Sequence, residues 1–255
     1  MSNPVKDTLA SGGISLGTMA FEYASPGLPT IAANAGAEFV IFDMEHSGWG
    51  IDTIRQLLAA SRGSGIVPLV RVPATLPHLL SGPLDAGAHG LMVPMVESGT
   101  QAQLIADSTR YPPVGRRGSA FGLAHDGFTG GDIVAKMTAA NERLLLIAQI
   151  ETEAGVNDVD AIAATDGIDV LWIGHFDLSA SLGIPGQFDH PRYREAVDTV
   201  LQACTRHGKT PGIMASDVST ARQHLAAGFR AIAYSGDLWI YGTALQQGIE
   251  AIKAE

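Results

Sequence analysis

Glu151 and Asp177 each follow a short apolar run, LLLIAQI (144–150) and VLWIG (170–174), where a buried strand would emerge into a loop. A carboxylate in that position can present hard oxygen ligands to a divalent metal at the active face of an α/β barrel. It can equally cap the helix that follows, because side-chain oxygens and negative charge both stabilise helix starts. Gln149 adds weight to the first reading: it is polar inside an apolar run and two residues before Glu151, so both side chains share one strand face. A buried amide needs hydrogen-bond partners, and a ligand could supply them.

A second group of polar residues ends other apolar runs. Asp43, Glu45 and His46 close FVIFDMEH, Arg71 closes VPLVR, and Asp85 stands near the end of a helical segment. His46 reads either as a surface histidine or as a general base, since an imidazole titrates near pH ~6.5 and a neighbouring carboxylate such as Asp43 or Asp85 would raise its basicity. Arg71 reads as an ion-pair partner, or as a group that grips a substrate carboxylate bidentately and stabilises an oxyanion. Asp177 could cap a short helix, while the backbone N–H groups near Gly174 to Phe176 would be free to hold an anion. The segment Tyr111 to Gly118 reads as a rigid turn and a loop clamp, lacking the Gly-rich Lys pattern of a nucleotide loop. Two carboxylates leave Mg2+, Mn2+ or Co2+ short of its roughly six oxygens, which water and a chelating 2-keto acid would complete. Chelation polarises the keto group and acidifies the adjacent methyl, so the chemistry implied is enolate formation.

These residues must be positioned by repeated βα units. Eight β-rich runs, at 13–19, 39–44, 67–72, 90–96, 144–150, 170–174, 210–215 and 231–236, alternate with helical segments at 28–35, 51–62, 76–86, 99–110, 155–164, 191–207, 218–227 and 238–252. That count predicts a single-domain (β/α)8 barrel spanning the 255 residues. Glycine just before the runs, at Gly36, Gly87, Gly167 and Gly228, suits helix C-termini in the αL conformation. The long irregular segment 111–132 is read as a functional loop following the fourth strand.

Composition narrows the partners. A formal charge of −10 with 16 scattered Lys and Arg argues against nucleic acid or an anionic membrane. Cys204 is the only cysteine, so neither an intrachain disulfide nor a thiolate cage is available. The first residues lack the apolar core of a secretory signal, and no run approaches the roughly 20 residues of a membrane span; a soluble cytoplasmic protein is expected.

Taken together, GTM (17–19), FDMEH (42–46), VRVP (70–73), LDAGAHGLMVPMV (84–96), RYPPVGRRG (110–118), QIET (149–152) and IGHFDLSASLG (173–183) make the chain resemble the HpcH/HpaI metal-dependent (class II) pyruvate aldolases. The resemblance covers nearly the whole chain. It implies a (β/α)8 barrel, usually hexameric with a helix exchanged between neighbours, that cleaves or forms the bond between a pyruvate-type enolate and an aldehyde. It implies Glu151 and Asp177 as ligands of the divalent metal, and His46 as proton acceptor, directly or through a water on the metal, oriented by Asp85. Arg71 would stabilise the enolate, and Gln149 with the backbone at Phe176 would hold the keto acid. Many relatives carry Gly-Pro-Ala where this chain has Gly174-His175-Phe176, so Phe176 is expected to reshape the pocket. The alternatives are a CoA-thioester lyase of the same superfamily, which needs a basic groove, and a barrel that binds a keto acid without turnover.

Overall fold

The eight apolar runs become eight parallel strands, each hydrogen-bonded to the next in sequence, with the last closing on the first. A computed structural model describes residues 3–254. A short helix α1 (Pro4–Ala10) precedes β1 (Ser15–Ala20), α2 (Leu28–Asn34), β2 (Phe39–Asp43), α3 (Ile51–Ser61), β3 (Val67–Arg71), α4 (Pro77–Ala86), β4 (Gly90–Val93) and α5 (Gly99–Thr109). After a 3-10 turn at Ala124–Asp126 come α6 (Ile133–Arg143), β5 (Leu145–Ile150), α7 (Glu153–Asn157), α8 (Val159–Ala164), β6 (Val170–Ile173) and α9 (His175–Ser181). The chain finishes with α10 (Pro191–His207), β7 (Thr210–Ala215), α11 (Val218–Ala227), β8 (Ala231–Gly236) and α12 (Asp237–Lys253). This is the (β/α)8 barrel that the spacing of the runs predicts.

Strand side chains alternate between two cores. Phe39, Ile41, Val67, Leu69, Leu145, Ile147, Val170 and Trp172 fill the barrel interior. Their neighbours in sequence, such as Val40, Phe42, Val70, Leu146 and Leu171, pack outward against the helices. Room for the Trp172 indole comes from Gly212 on the adjoining strand, where any Cβ would meet the ring. Below, α1 inserts Val5 and Leu9 into the interior cluster, and the Asn3 amide donates to the carbonyls of His89 and Arg143. That plug was not anticipated, although Asn3 followed by Pro4 is a helix start: the Asn3 side chain accepts the Lys6 N–H.

Several boundaries differ from expectation for local reasons. The fourth strand stops at Val93 instead of 96, because Pro94 has no N–H to offer and Met95 turns into the left-handed region at φ 53°. The helix expected over 155–164 is two, meeting at Asp158. Helix α6 was missed; Asp132 caps it, but none of its residues is buried, so it carries no core-facing stripe. The long segment 111–132 follows α5, not the fourth strand. Since α5 runs back against the strands, the segment begins at the end of the barrel opposite the strand C-termini.

The outer wall over β8 and β1 is left open. Leu16 and Tyr234 are exposed there, and a groove of about 630 Å³ runs between them, Ile31 on α2 and the start of α12. Beyond Ile240, α12 is exposed on every side, Tyr241, Leu245, Ile249 and Ile252 included. Among the described residues no helix is long and apolar enough to cross a membrane.

Candidate active site

Period-two alternation carries the interior positions upward from apolar to polar. On β2 the inward series Phe39, Ile41 continues to Asp43 and then Glu45; on β3 Val67, Leu69 leads to Arg71; on β5 Leu145, Ile147 leads to Gln149 and then Glu151. Asp43 and Arg71 are register partners on neighbouring strands. The Asp43 carboxylate is fully buried and accepts from Arg71 Nε at 2.5 Å and from the backbone N–H groups of Glu45 and His46 at 3.2 and 2.7 Å. Arg71 Nη1 lies 3.1 Å from Glu45 Oε2, and the guanidinium stands over the Phe21 ring at 5.7 Å. On the facing side, Glu151 accepts the Met95 N–H at 2.7 Å and the Gln149 amide. The left-handed turn at Met95 is what aims that N–H. Gly174 leaves space for the carboxylate, since a Cβ there would fall on Glu151 Oε2.

Burial sets the electrostatics. It pushes Glu151 up to about 7; the Met95 N–H opposes the rise, Glu45 adds to it, the Gln149 amide opposes it and Asp177 adds again. Glu45 is likewise raised, by burial first, against the pull of Arg71 and with the push of Asp43 and Asp177. Glu45, Glu151 and Asp177 therefore stand in one another's field with too little positive charge among them. Two buried oxygens are orphaned: Gln149 Oε1 has no donor, and Glu45 Oε2 has ion-pair proximity to Arg71 but no aligned hydrogen bond. Crowded carboxylates with unpaired oxygens are a donor set that fits a hard divalent cation. Among the described residues no three acidic, His or Cys side chains close on one ion-sized point. A pair of carboxylates would leave the remaining positions to water and substrate.

The residues singled out by sequence divide into two places. Asp43, Arg71, Gln149, Glu151, Gly174, Phe176 and Asp177 stand at the strand C-termini, with Phe176 and Asp177 exposed in the first turn of α9. The His46 ring also stands there, 61% exposed, with Nε2 3.8 Å from Glu45 Oε2. Asp43 fixes the backbone of His46, not its ring. Asp85 lies elsewhere. It is at the far end of α4, its Oδ1 2.6 Å from Arg117 Nη2, and so does not meet His46 within the chain. The physical reason is that each helix runs antiparallel to its strand, carrying Asp85 about 15 Å back along a ten-residue helix. Arg117 stacks on buried Tyr111 at 4.6 Å, so segment 111–132 is clamped to that end of the barrel.

Two contributors were missed. Glu45 was visible as the next inward position after Asp43, and only its contact with Arg71 gives it a place. Met95 acts through its backbone, which leaves no mark in side-chain types.

An eight-stranded parallel barrel with acidic groups converging at its strand C-termini defines a class of enzyme-like barrels whose chemistry sits on that face. The family model for HpcH/HpaI aldolase/citrate lyase matches residues 19–241, and the chain belongs to that family. It is 34% identical over 251 residues to a 5-keto-4-deoxy-D-glucarate aldolase of Klebsiella pneumoniae, covering 98% of this chain and 97% of the relative. Among solved structures it is similar to an HpcH/HpaI aldolase/citrate lyase family protein from Burkholderia cenocepacia J2315, with TM-score 0.92, 34% identity and coverage of 99% and 100%. An HpcH/HpaI aldolase from Desulfitobacterium hafniense DCB-2 gives TM-score 0.92 at 30% identity, covering 97% and 96%.

Proposed function

We propose that this protein is a divalent-metal-dependent aldolase that reversibly cleaves a 4-hydroxy-2-oxo acid to pyruvate, or a pyruvate analogue, and an aldehyde. The observation that carries the reading is the buried Glu151, held up to about 7 beside Glu45 and Asp177, with Arg71 3.1 Å from Glu45 at the strand ends. Glu151 and Asp177 would hold the cation, which supplies Lewis acidity to the keto oxygen. Gln149 has a free amide oxygen and an amide group turned to Glu151, so it orients that carboxylate and can face the keto acid. Arg71, locked by Asp43 and Phe21, offers its remaining donors to the oxyanion that appears as the enolate forms. His46 is exposed at the mouth and takes the proton, with Glu45 as the nearest carboxylate. In the synthetic direction the enolate methylene carbon bonds to the aldehyde carbon, and the resulting alkoxide takes up the proton the base removed.

The family likeness and the exposed α12 support a homo-oligomer, a hexamer by that likeness, in which the open β8/β1 groove is covered by a neighbouring copy.

Exchange of the pyruvate methyl protons in D2O, followed by NMR, tests the reading. Exchange should require Mg2+, Mn2+ or Co2+, vanish with chelator, and fall about 10²- to 10⁴-fold in His46→Ala, the usual scale for a positioned base. Full exchange in metal-free protein would overturn it.

A further inference from the structure

We infer that Arg192, which stands outside the site, is a positioning residue that sets the spacing of Glu151 and Asp177; this rests on the reading of those two carboxylates as the cation's ligands. Glu151 is buried and held by the Met95 N–H and the Gln149 amide. Asp177 has no such shelter. It is exposed in the first turn of the seven-residue α9, so the place of its carboxylate follows the place of that helix.

Two links tie α9 to the segment that leaves Glu151. The Ser181 hydroxyl, at the end of α9, accepts the N–H of Glu153 at 2.9 Å. Ser181 is four residues after Asp177, one turn on along the same side of the helix, and Glu153 is two residues after Glu151. The second link is Arg192. Its Nη2 donates to Glu153 Oε1 at 2.7 Å, and its Nη1 donates at 2.6 Å to the carbonyl of Leu182, the residue that ends α9. A planar guanidinium that engages two acceptors fixes the distance between them, which an ammonium on a flexible stem does not. Arg192 is itself seated in the first turn of α10, where its N–H donates to His190 Nδ1 at 3.1 Å. Both side chains of the Arg192–Glu153 pair are 49% exposed, so the pair adds little to stability. Its consequence is where α9 sits against the Glu151 segment.

Charge and position predict opposite signs, which makes the role testable. Removing a positive charge near a cation site tightens binding by Coulomb's law alone, whereas loss of ligand spacing weakens it. Calorimetric titration of the full chain with Mn2+ above neutral pH reads the difference. Arg192→Met should weaken Mn2+ binding by about tenfold, the scale of losing a group that orients a ligand, with the melting temperature of the metal-free protein near wild type. Arg192→Lys keeps the charge without the fork and should fall between the two. Adding Glu153→Gln to Arg192→Met should weaken binding no further, because the Glu153 carboxylate acts through the guanidinium. Arg206→Met, which breaks a comparably exposed pair with Asp160 farther along α10, should bind Mn2+ as wild type does. Wild-type or tighter affinity in both Arg192 variants overturns the inference, as does an equal loss in Arg206→Met or a loss that tracks a fall in melting temperature. Those outcomes, with binding lost in Glu151→Gln, leave the aldolase reading standing. Wild-type Mn2+ affinity in Glu151→Gln sinks the ligand assignment and this inference with it.

Discussion

At the scale of single residues, the chemistry depends on where charge is left unbalanced. Glu151 is raised from 4.5 to about 7, so below neutral pH it keeps a proton that an incoming cation must displace. Calorimetric titration with Mn2+ should therefore show affinity falling by about tenfold per pH unit below 7, with release of about one proton. Glu151→Gln should abolish most binding and the slope; a flat affinity from pH 8 to 5.5 would contradict the assignment. The sign for folding runs the other way. A carboxyl that binds its proton more tightly when folded favours the metal-free fold at low pH, and that contribution is lost as pH rises from 4.5 through about 7. Arg71 poses a different question, since its Nε is committed to Asp43 and its remaining donors face Glu45 and the site. Lysine cannot reproduce a planar fork, so Arg71→Lys should lower kcat by about 10²-fold. A raised KM with unchanged kcat would instead make Arg71 a carboxylate clamp.

At the scale of elements, the first turn of α12 holds the loop after β1. The Asp237 carboxylate accepts the N–H groups of Phe21, Glu22 and Tyr23 at 3.0, 3.1 and 2.7 Å, and Phe21 in turn packs between Trp239 and Arg71. Asp237→Ala leaves those partly buried donors without their acceptor, a loss of about 1 to 3 kcal/mol for charge-assisted bonds. Hydrogen exchange should show residues 21–23 deprotected in that variant. Because Phe21 backs Arg71, the KM for pyruvate should rise with it. Unchanged protection of the loop would show that another contact holds it.

At the scale of the molecule, one barrel wall and one helix are left uncovered among the described residues. Tyr241, Leu245, Ile249 and Ile252 recur at helical spacing along an α12 that touches the barrel only at its start, and β1 and β8 expose Leu16 and Tyr234 beside it. In the proposed homo-oligomer, the apolar stripe of one copy would cover the apolar groove of another. Sedimentation should find an oligomer, and Leu245→Asp with Ile249→Asp should shift it toward monomer and lower its melting temperature. A monomeric wild type would refute the assembly.

The barrel was legible because strands buried on both faces must be continuous apolar runs, and eight of them, spaced by helices, leave few other folds. The candidate site was legible where alternation places a polar residue one step above an apolar interior, as at Asp43, Arg71, Gln149 and Glu151. What alternation cannot express is direction in space. His46 lies just past a strand and Asp85 near the end of a helix, yet helix and strand run in opposite senses, and only the fold shows that the carboxylate meets Arg117 at the other end. Glu45 and the Met95 N–H likewise gain their roles from contacts across strands. Residue types set what could bind and react; tertiary structure decided which of them meet, because a carboxylate's charge state and partners follow from burial and distance, which no spacing along the chain contains.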